Sequence, residues 1–386
     1  MHPKKEITAE AVVRLLINSA LVAKLLADYP DAEARLDRAA ALAGTSDLEG
    51  KRQKALAEKA ALYYVWGRFD QGLELAGLVI SAGGEEQNEN RASALNTSGN
   101  IHLRRCEFDQ AEKCFRRALD YYRGLKMETS IGTVINNLAN IYNIRGDSQK
   151  AKLLYLEALE RFEGQNDIYR TAHVLHSLSQ VLLALEDTDQ AKHCLHRSLD
   201  LRRSIQDHRG LVNNLLKQAG IFTDEQNFNE AGKKLGQADV IIREHKLTDP
   251  HLKAYREGEA GIFYFFTGEF DQAEGCFLRL IDLSGQMKEA SFLARGYSWL
   301  GKVRVFRDGT GAGIADIRKG IELAESGDLP CELKDAWIYL MECHRRLGQR
   351  EPADQAARNY AREALKQGDT REKADAEIAR ILGGKN

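Results

Sequence analysis

Proline is nearly missing, with five in 386 residues. Proline removes a helix donor and clashes with the preceding turn, so its scarcity leaves long helices unbroken. The β-branched and aromatic alternation that marks strands is also hard to find. No stretch approaches the roughly 18 uninterrupted apolar residues of a membrane span. A surplus of either charge is lacking too: 55 basic residues oppose 57 acidic ones, for a net charge of −2. Dedicated nucleic-acid binders usually carry a basic excess. The short basic pairs (Arg104-Arg105, Arg116-Arg117, Arg202-Arg203, Arg345-Arg346) are flanked by acids and read as solvated helix surface. The stretch Ala11 to Leu26 is broken by Arg14, Asn18 and Lys24, so it reads as an amphipathic helix and not as the apolar core of a secretory signal. A cytoplasmic protein that uses neither membrane nor nucleic acid is expected.

Catalytic signatures are scarce as well. The six cysteines contain no Cys-x-x-Cys pair, and Cys114, Cys194 and Cys276 recur in one repeat slot, as small buried hydrophobes would. No Ser/His/Asp elbow and no His-Glu-x-x-His motif occur. Asp308-Gly309-Thr310-Gly311-Ala312-Gly313 imitates a phosphate loop but lacks the Gly-Lys-Ser/Thr ending and a preceding strand. His173, His176, His193 and His196 crowd together in sequence, yet the two pairs fall on different helices, and a tetrahedral zinc needs four converging ligands. A non-enzymatic protein without metal or cofactor is expected.

What the chain has in abundance is repetition. A small turn, an Asp or Asn, a Gln, Glu or Lys, and then Ala recur in Glu107–Ala111, Gly146–Ala151, Thr188–Ala191, Phe228–Ala231 and Phe270–Ala273. The alanines at 111, 151, 191, 231 and 273 are spaced by 40, 40, 40 and 42 residues. The frame extends upstream to Gly72 and Ala32 and downstream to Gly313 and Ala353, giving nine copies. Fixed periods of this size mark solenoid arrays, each copy a helix pair. The phrase is the turn inside the pair, and the Asp or Asn just before Ala is expected to cap the second helix. A second small residue follows seven on (Ala39, Ala118, Ala158, Ser198, Ala238, Gly320), with a larger apolar one between them (Phe115, Tyr155, Leu195, Leu235, Phe277, Ile317). This spacing places all three on one helix face.

These residues resemble the tetratricopeptide pattern. The third copy supplies Gly99, Ala111, Phe115 and Ala118; the fourth Leu138, Tyr142, Ala151, Tyr155 and Ala158; the seventh Gly261, Tyr264, Ala273 and Phe277; the eighth Leu300 and Gly301; the ninth Trp337 and Leu340. The closing proline is mostly absent and the period is 40 instead of the usual length of about 34. The chain is therefore similar to the longer-helix branch, with kinesin light chains, LGN-type adaptors, and bacterial Rap and MalT-like domains. The resemblance implies an all-α, right-handed superhelical solenoid of about nine helix pairs. A continuous array is expected over 1–366, with second helices starting near 32, 72, 111, 151, 191, 231, 273, 313 and 353. Gly368-Asp369-Thr370 then restarts a polar capping helix and tail over 367–386.

In such a fold the first helix of each pair lines a concave groove. A ridge at spacing 3, 4, 3 then presents Asn96 and Asn100 in copy three, Asn136, Asn140 and Asn143 in copy four, and His173, His176 and Gln180 in copy five. It continues through Asn213 in copy six and Tyr255, Ile262 and Phe265 in copy seven. Copy eight adds Arg295, Ser298 and Lys302, and copy nine Asp335, Ile338 and Glu342. Asparagine is a poor helix former, yet its amide can pair with a peptide N–H and C=O together. The amides either grip an extended chain, as the resemblance to kinesin light chains implies, or bond between repeats; Asn137, one step off the ridge, has the more structural place. Phe265 with Phe266 forms either a pocket for an apolar anchor or ordinary packing. The expected function is a scaffold or adaptor holding a peptide segment of a partner protein in the groove of copies three to seven. The alternative is a peptide-sensing module that changes superhelix shape. A monomer is expected, with weak self-association left open.

Overall fold

The computed structural model describes residues 8–26, 28–82, 88–367 and 369–383. Among these every regular element is helical. The pairs are α1 (Ala9–Leu25) with α2 (Tyr29–Thr45), α3 (Glu49–Trp66) with α4 (Phe69–Ser81), and α5 (Asn88–Arg104) with α6 (Phe108–Gly124). Next come α7 (Glu128–Ile144) and α8 (Ser148–Gly164), α9 (Ile168–Ala184) and α10 (Thr188–Ser204), and α11 (His208–Asp224) and α12 (Phe228–Glu244). The last are α13 (Pro250–Phe266) and α14 (Phe270–Met287), α15 (Ala290–Asp308) and α16 (Ile314–Ser326), and α17 (Pro330–Arg346) and α18 (Arg350–Lys366), followed by α19 (Arg371–Gly383). The helices fall into two compact units: residues 1–141 with 160–165, and residues 142–159 with 166–386. In the smaller unit α1 packs on α3 and α3 on α5; in the larger, α11, α13, α15, α17 and α19 pack each on the next. First helices thus stand side by side within each unit.

A helix of 17 residues and a turn of three make half a repeat. The chain enters the left-handed region once per turn, at Cys106, Lys126, Gly146, Asn166, Glu186, Gln206, Gln226 and Lys246, a residue every 20. Of these eight only Gly146 is glycine, although left-handed geometry costs other residues about 1 kcal/mol or more. The turn that joins one pair to the next therefore leaves little trace in the sequence. The 42-residue step also has a cause: five residues, 245–249, separate α12 from α13, where α10 and α11 are separated by three.

The expected cap position needs correction. Asp187 accepts from the Gln190 amide at 3.2 Å, Asp147 from Lys150 at 3.1 Å and Asn227 from Glu230 at 3.4 Å. The cap is thus four residues before the alanine. Asp109, Asp189 and Asp271 lie inside the first turn instead, where their charge meets the positive helix end.

The stripe of small and large residues is the core. Ala111, Ala151, Ala191, Ala231 and Ala273 have no exposed surface, and neither do Phe115, Leu195, Phe277 and Ile317. In pair eight the approach is backbone to backbone: a Cβ on Gly313 would lie 2.0 Å from the Gly301 carbonyl oxygen, and one on Gly301 would lie 2.3 Å from that of Gly313. The glycines of 308–313 serve this contact. The capping segment packs through Ala374 and Ile381 onto α17 and α18; Gly368 and residues 384–386 lie outside the described residues. Among the described residues no helix is long and apolar enough to cross a membrane.

Candidate functional site

In the smaller unit, α5 and α7 bring the amides together. Asn137 donates through Nδ2 to Asn96 Oδ1 at 3.1 Å and to Asn100 Oδ1 at 3.2 Å. One amide thus clasps two, one helical turn apart, across a repeat boundary. Asn136 is only 8% exposed, and its Oδ1 is covered without a hydrogen-bond partner. Asn140 is half-buried and engaged by neighbours. The residue placed off the ridge is the one that holds the row together. Asn96 and Asn100 spend their carbonyls on it and keep their N–H donors.

In the larger unit, His176 is fixed by its neighbours. Asn214, with no exposed surface, donates Nδ2 to the Leu195 carbonyl at 3.3 Å. Its Oδ1 therefore faces His176 Nδ1 at 2.8 Å, which must carry the ring proton. Gln180 Nε2 lies 3.4 Å from the other ring nitrogen. Burial, and then the Arg202 guanidinium, push His176 down to about 3; His173 is exposed, and the protein packed beside it and the same guanidinium lower it in the same sense. Both rings are neutral at pH 7. Arg202 is itself buried, held by Asp207 at 2.7 Å. His193 and His196 lie on α10, and among the described residues no cluster could hold a metal ion.

Asn213 and Ile262 are half-buried, while Phe265 is 7% exposed. Phe265 meets Trp299 and Phe306 edge-on, with ring centres 5.4 and 5.1 Å apart. Its place is inter-repeat packing, and it is Phe266 that stands exposed.

The larger unit's inner face carries charge that the ridge located only in part. Lys217 and Asp224 lie two turns apart on α11, Arg295 and Lys302 on α15, and Asp335 and Glu342 on α17; Tyr255 and Glu259 lie one turn apart on α13. Arg295 pairs with Glu259 at 2.8 Å, and Lys302 with Glu342 at 2.5 Å. The Lys302 ammonium also sits 4.6 Å from the Tyr339 ring centre, 4.9 Å from Trp299 and 5.2 Å from Phe265. It is thus an internal cation in an aromatic cage. Among the described residues, Lys217, Asp224 and Asp335 make no ion pair. Lys217 is half-buried, and Asp224 and Asp335 are exposed with protein packed beside them. That surrounding protein lowers the Lys217 ammonium's proton affinity, raises that of Asp224 and pushes Asp335 up to about 6. Tyr255 buries its hydroxyl without a partner.

Lys217, Glu259, Trp299 and Tyr339 were not on the ridge. Each follows by one residue a position of the 3, 4, 3 ridge: Leu216, three after Asn213, Gly258, three after Tyr255, and Ser298, all buried, and Ile338, which is half-buried. A step of one residue turns the side chain by about 100°, and a 3, 4, 3 template cannot place a helix face more finely than that.

A tetratricopeptide repeat model matches residues 90–164 and 130–204. A protein of Arabidopsis thaliana described as kinesin light chain-related 1 is 23% identical over 218 residues, which are 50% of this chain and 35% of that one. The chain thus spans about a third of the length of the curated relative it matches. At the level of fold, a Rap protein solved in complex with Competence and Sporulation Factor superposes with a TM-score of 0.68 over 96% of this chain and 100% of that one, at 15% identity. The apo form of RapI gives 0.58 over 72% and 99%, at 12% identity. Aspartyl phosphate phosphatase F from Bacillus subtilis gives 0.57 over 95% and 97%, also at 12%. Residues 90–204 thus match tetratricopeptide repeats, and on either side of them the described residues continue the same order of helix pairs.

Proposed function

We propose that the protein is a non-enzymatic scaffold or adaptor that holds a peptide segment of a partner protein against the inner faces of its first helices. The observation that carries the reading is the unspent chemistry of the larger unit: Lys217, Asp224 and Asp335 stand without ion pairs around Tyr255 and Tyr339. A peptide brings N–H and C=O groups and side-chain charges that such a surface can meet, and a hydrogen bond to a charged group contributes about 1.5–3 kcal/mol. His173, Gln180, Asn213 and Ile262 extend the same helix faces. In the smaller unit, Asn96 and Asn100 offer a second, amide-rich face, chiefly as donors, beside Asn140. The kinesin light chain-related match and the Rap folds agree with a protein or peptide as the partner.

The test is a random peptide library selected against the full chain, with affinities of recovered peptides measured by fluorescence polarisation. Lys217→Met and Asp335→Asn should each weaken binding about tenfold or more, with helicity unchanged. Unchanged affinity in both variants would refute the assignment. A sensor reading, in which the ligand shifts helix-pair stacking, is favoured by contacts that tie distant parts of the larger unit together. Small-angle scattering with and without a selected peptide separates the two.

A further inference from the structure

Among the described residues, side-chain hydrogen bonds such as Asn137 to Asn96 and Ser291 to Glu332 each span 41 positions, about one repeat. One group of contacts within the larger unit reaches much further. Cys331 Sγ lies 3.7 Å from the Asn143 carbonyl oxygen and 3.8 Å from that of Ile144, 188 and 187 positions away. Gln367 donates Nε2 to the Pro330 carbonyl at 2.6 Å, and its Oε1 lies 4.0 Å from the same thiol. Its side chain covers Gly146 so closely that a Cβ there would stand 2.6 Å from Oε1, and Gly146 has a φ of +78° besides. A second bridge runs beside it: Lys373 Nζ meets Glu186 Oε1 at 2.9 Å and Asp369 Oδ1 at 3.6 Å.

Of the helices that carry the inner face, α11, α13 and α15 lie between the two sides of these contacts in the chain, and α17 begins at one of them. The ends of α7 and α9 on one side, and the α17–α19 end on the other, are therefore joined around that face. The joint is weak by construction. Lys373 and Glu186 are 47% and 75% exposed, and exposed ion pairs contribute little. Thiol contacts to carbonyls are long, and the thiol is a poor donor.

We propose that these contacts form a clasp that gates access to the inner face of the larger unit. The proposal deepens the reading of that face as a peptide-binding surface and rests on it. A segment tethered at both ends enters only when the clasp opens. A free chain end reaches the face with the clasp shut.

The experiment uses the full chain and two chemical reporters, read by peptide mass spectrometry, and requires no ligand. Iodoacetamide alkylation of Cys331 reports the clasp, and N-acetoxysuccinimide acetylation of Lys217 reports the inner face. Exposed Lys126 is the control. Lys373→Glu, which sets two carboxylates against each other, should raise both rates roughly fivefold, the scale of losing and then reversing one surface ion pair. Lys126 should not change, and adding Glu186→Lys should restore both rates. A faster Cys331 with an unchanged Lys217 would sink the gate, and unchanged rates at both would sink the clasp. Neither outcome bears on whether selected peptides bind, which the Lys217 and Asp335 variants decide separately.

Discussion

Lys302 offers the sharpest test of how the inner face is held. Its side chain is 7% exposed and its ammonium pairs with Glu342 at 2.5 Å, inside the cage of Phe265, Trp299, Phe306 and Tyr339. Lys302→Met keeps the stem and the packing and removes the charge. Deleting one partner of a buried pair costs about 3–5 kcal/mol because the other charge stays behind. Glu342 retains 22% exposure and can recover some water, which puts this case at the low end. The lost cation–π attraction adds about 0.5–2 kcal/mol, offset in part by the thioether's own contact with the rings. The expected cost is about 3 kcal/mol. Removing both charges in Lys302→Met/Glu342→Leu should recover most of it, since a buried pair replaced by apolar groups is often neutral. Urea titration should follow Trp299 fluorescence, with Trp66 and Trp337 changed to Phe so that one of the three tryptophans reports. A single-variant cost under about 1 kcal/mol, or a double variant no better than the single, would refute the argument that burial makes Glu342 depend on Lys302.

Tyr255→Phe removes a hydroxyl that has no partner, and should stabilise the free protein by about 1 kcal/mol; a lower urea midpoint would contradict this. Gly313→Ala drives a Cβ onto the Gly301 carbonyl; it should cost about 3 kcal/mol or more, as overpacking against backbone does, and melting temperature checks it. Two groups give pH effects of opposite sign. Asp335 is raised from 3.8 to about 6, so its contribution is present at low pH and is lost as pH rises from about 4 through 6. His176 is lowered from 6.5 to about 3, so its contribution is present above 6.5 and is lost as pH falls below that value. In melting temperature against pH, Asp335→Asn should remove the first slope and His176→Gln the second.

The sequence by itself determined the period, the number of helix pairs and the buried stripe. These rest on close approach: where two helices touch at Ala111 or Gly313, only a small residue fits, and the constraint recurs in every copy. It marked Asn137 as the more structural of two neighbours but left open what each polar residue on a first helix does. Asn136 and Asn137 are chemically identical, yet one is buried with a covered carbonyl and the other clasps Asn96 and Asn100. That difference is one residue of helix rotation, decided by how neighbouring first helices pack. Lys217, Glu259 and Tyr339 escaped the ridge for the same reason. The turn between pairs escaped because Lys126, Asn166 and Gln206 adopt left-handed geometry without being glycine. The clasp lay furthest from reach. Cys331 and Asn143 share no motif and sit 188 positions apart, and only the packing of the helix pairs between them brings them together.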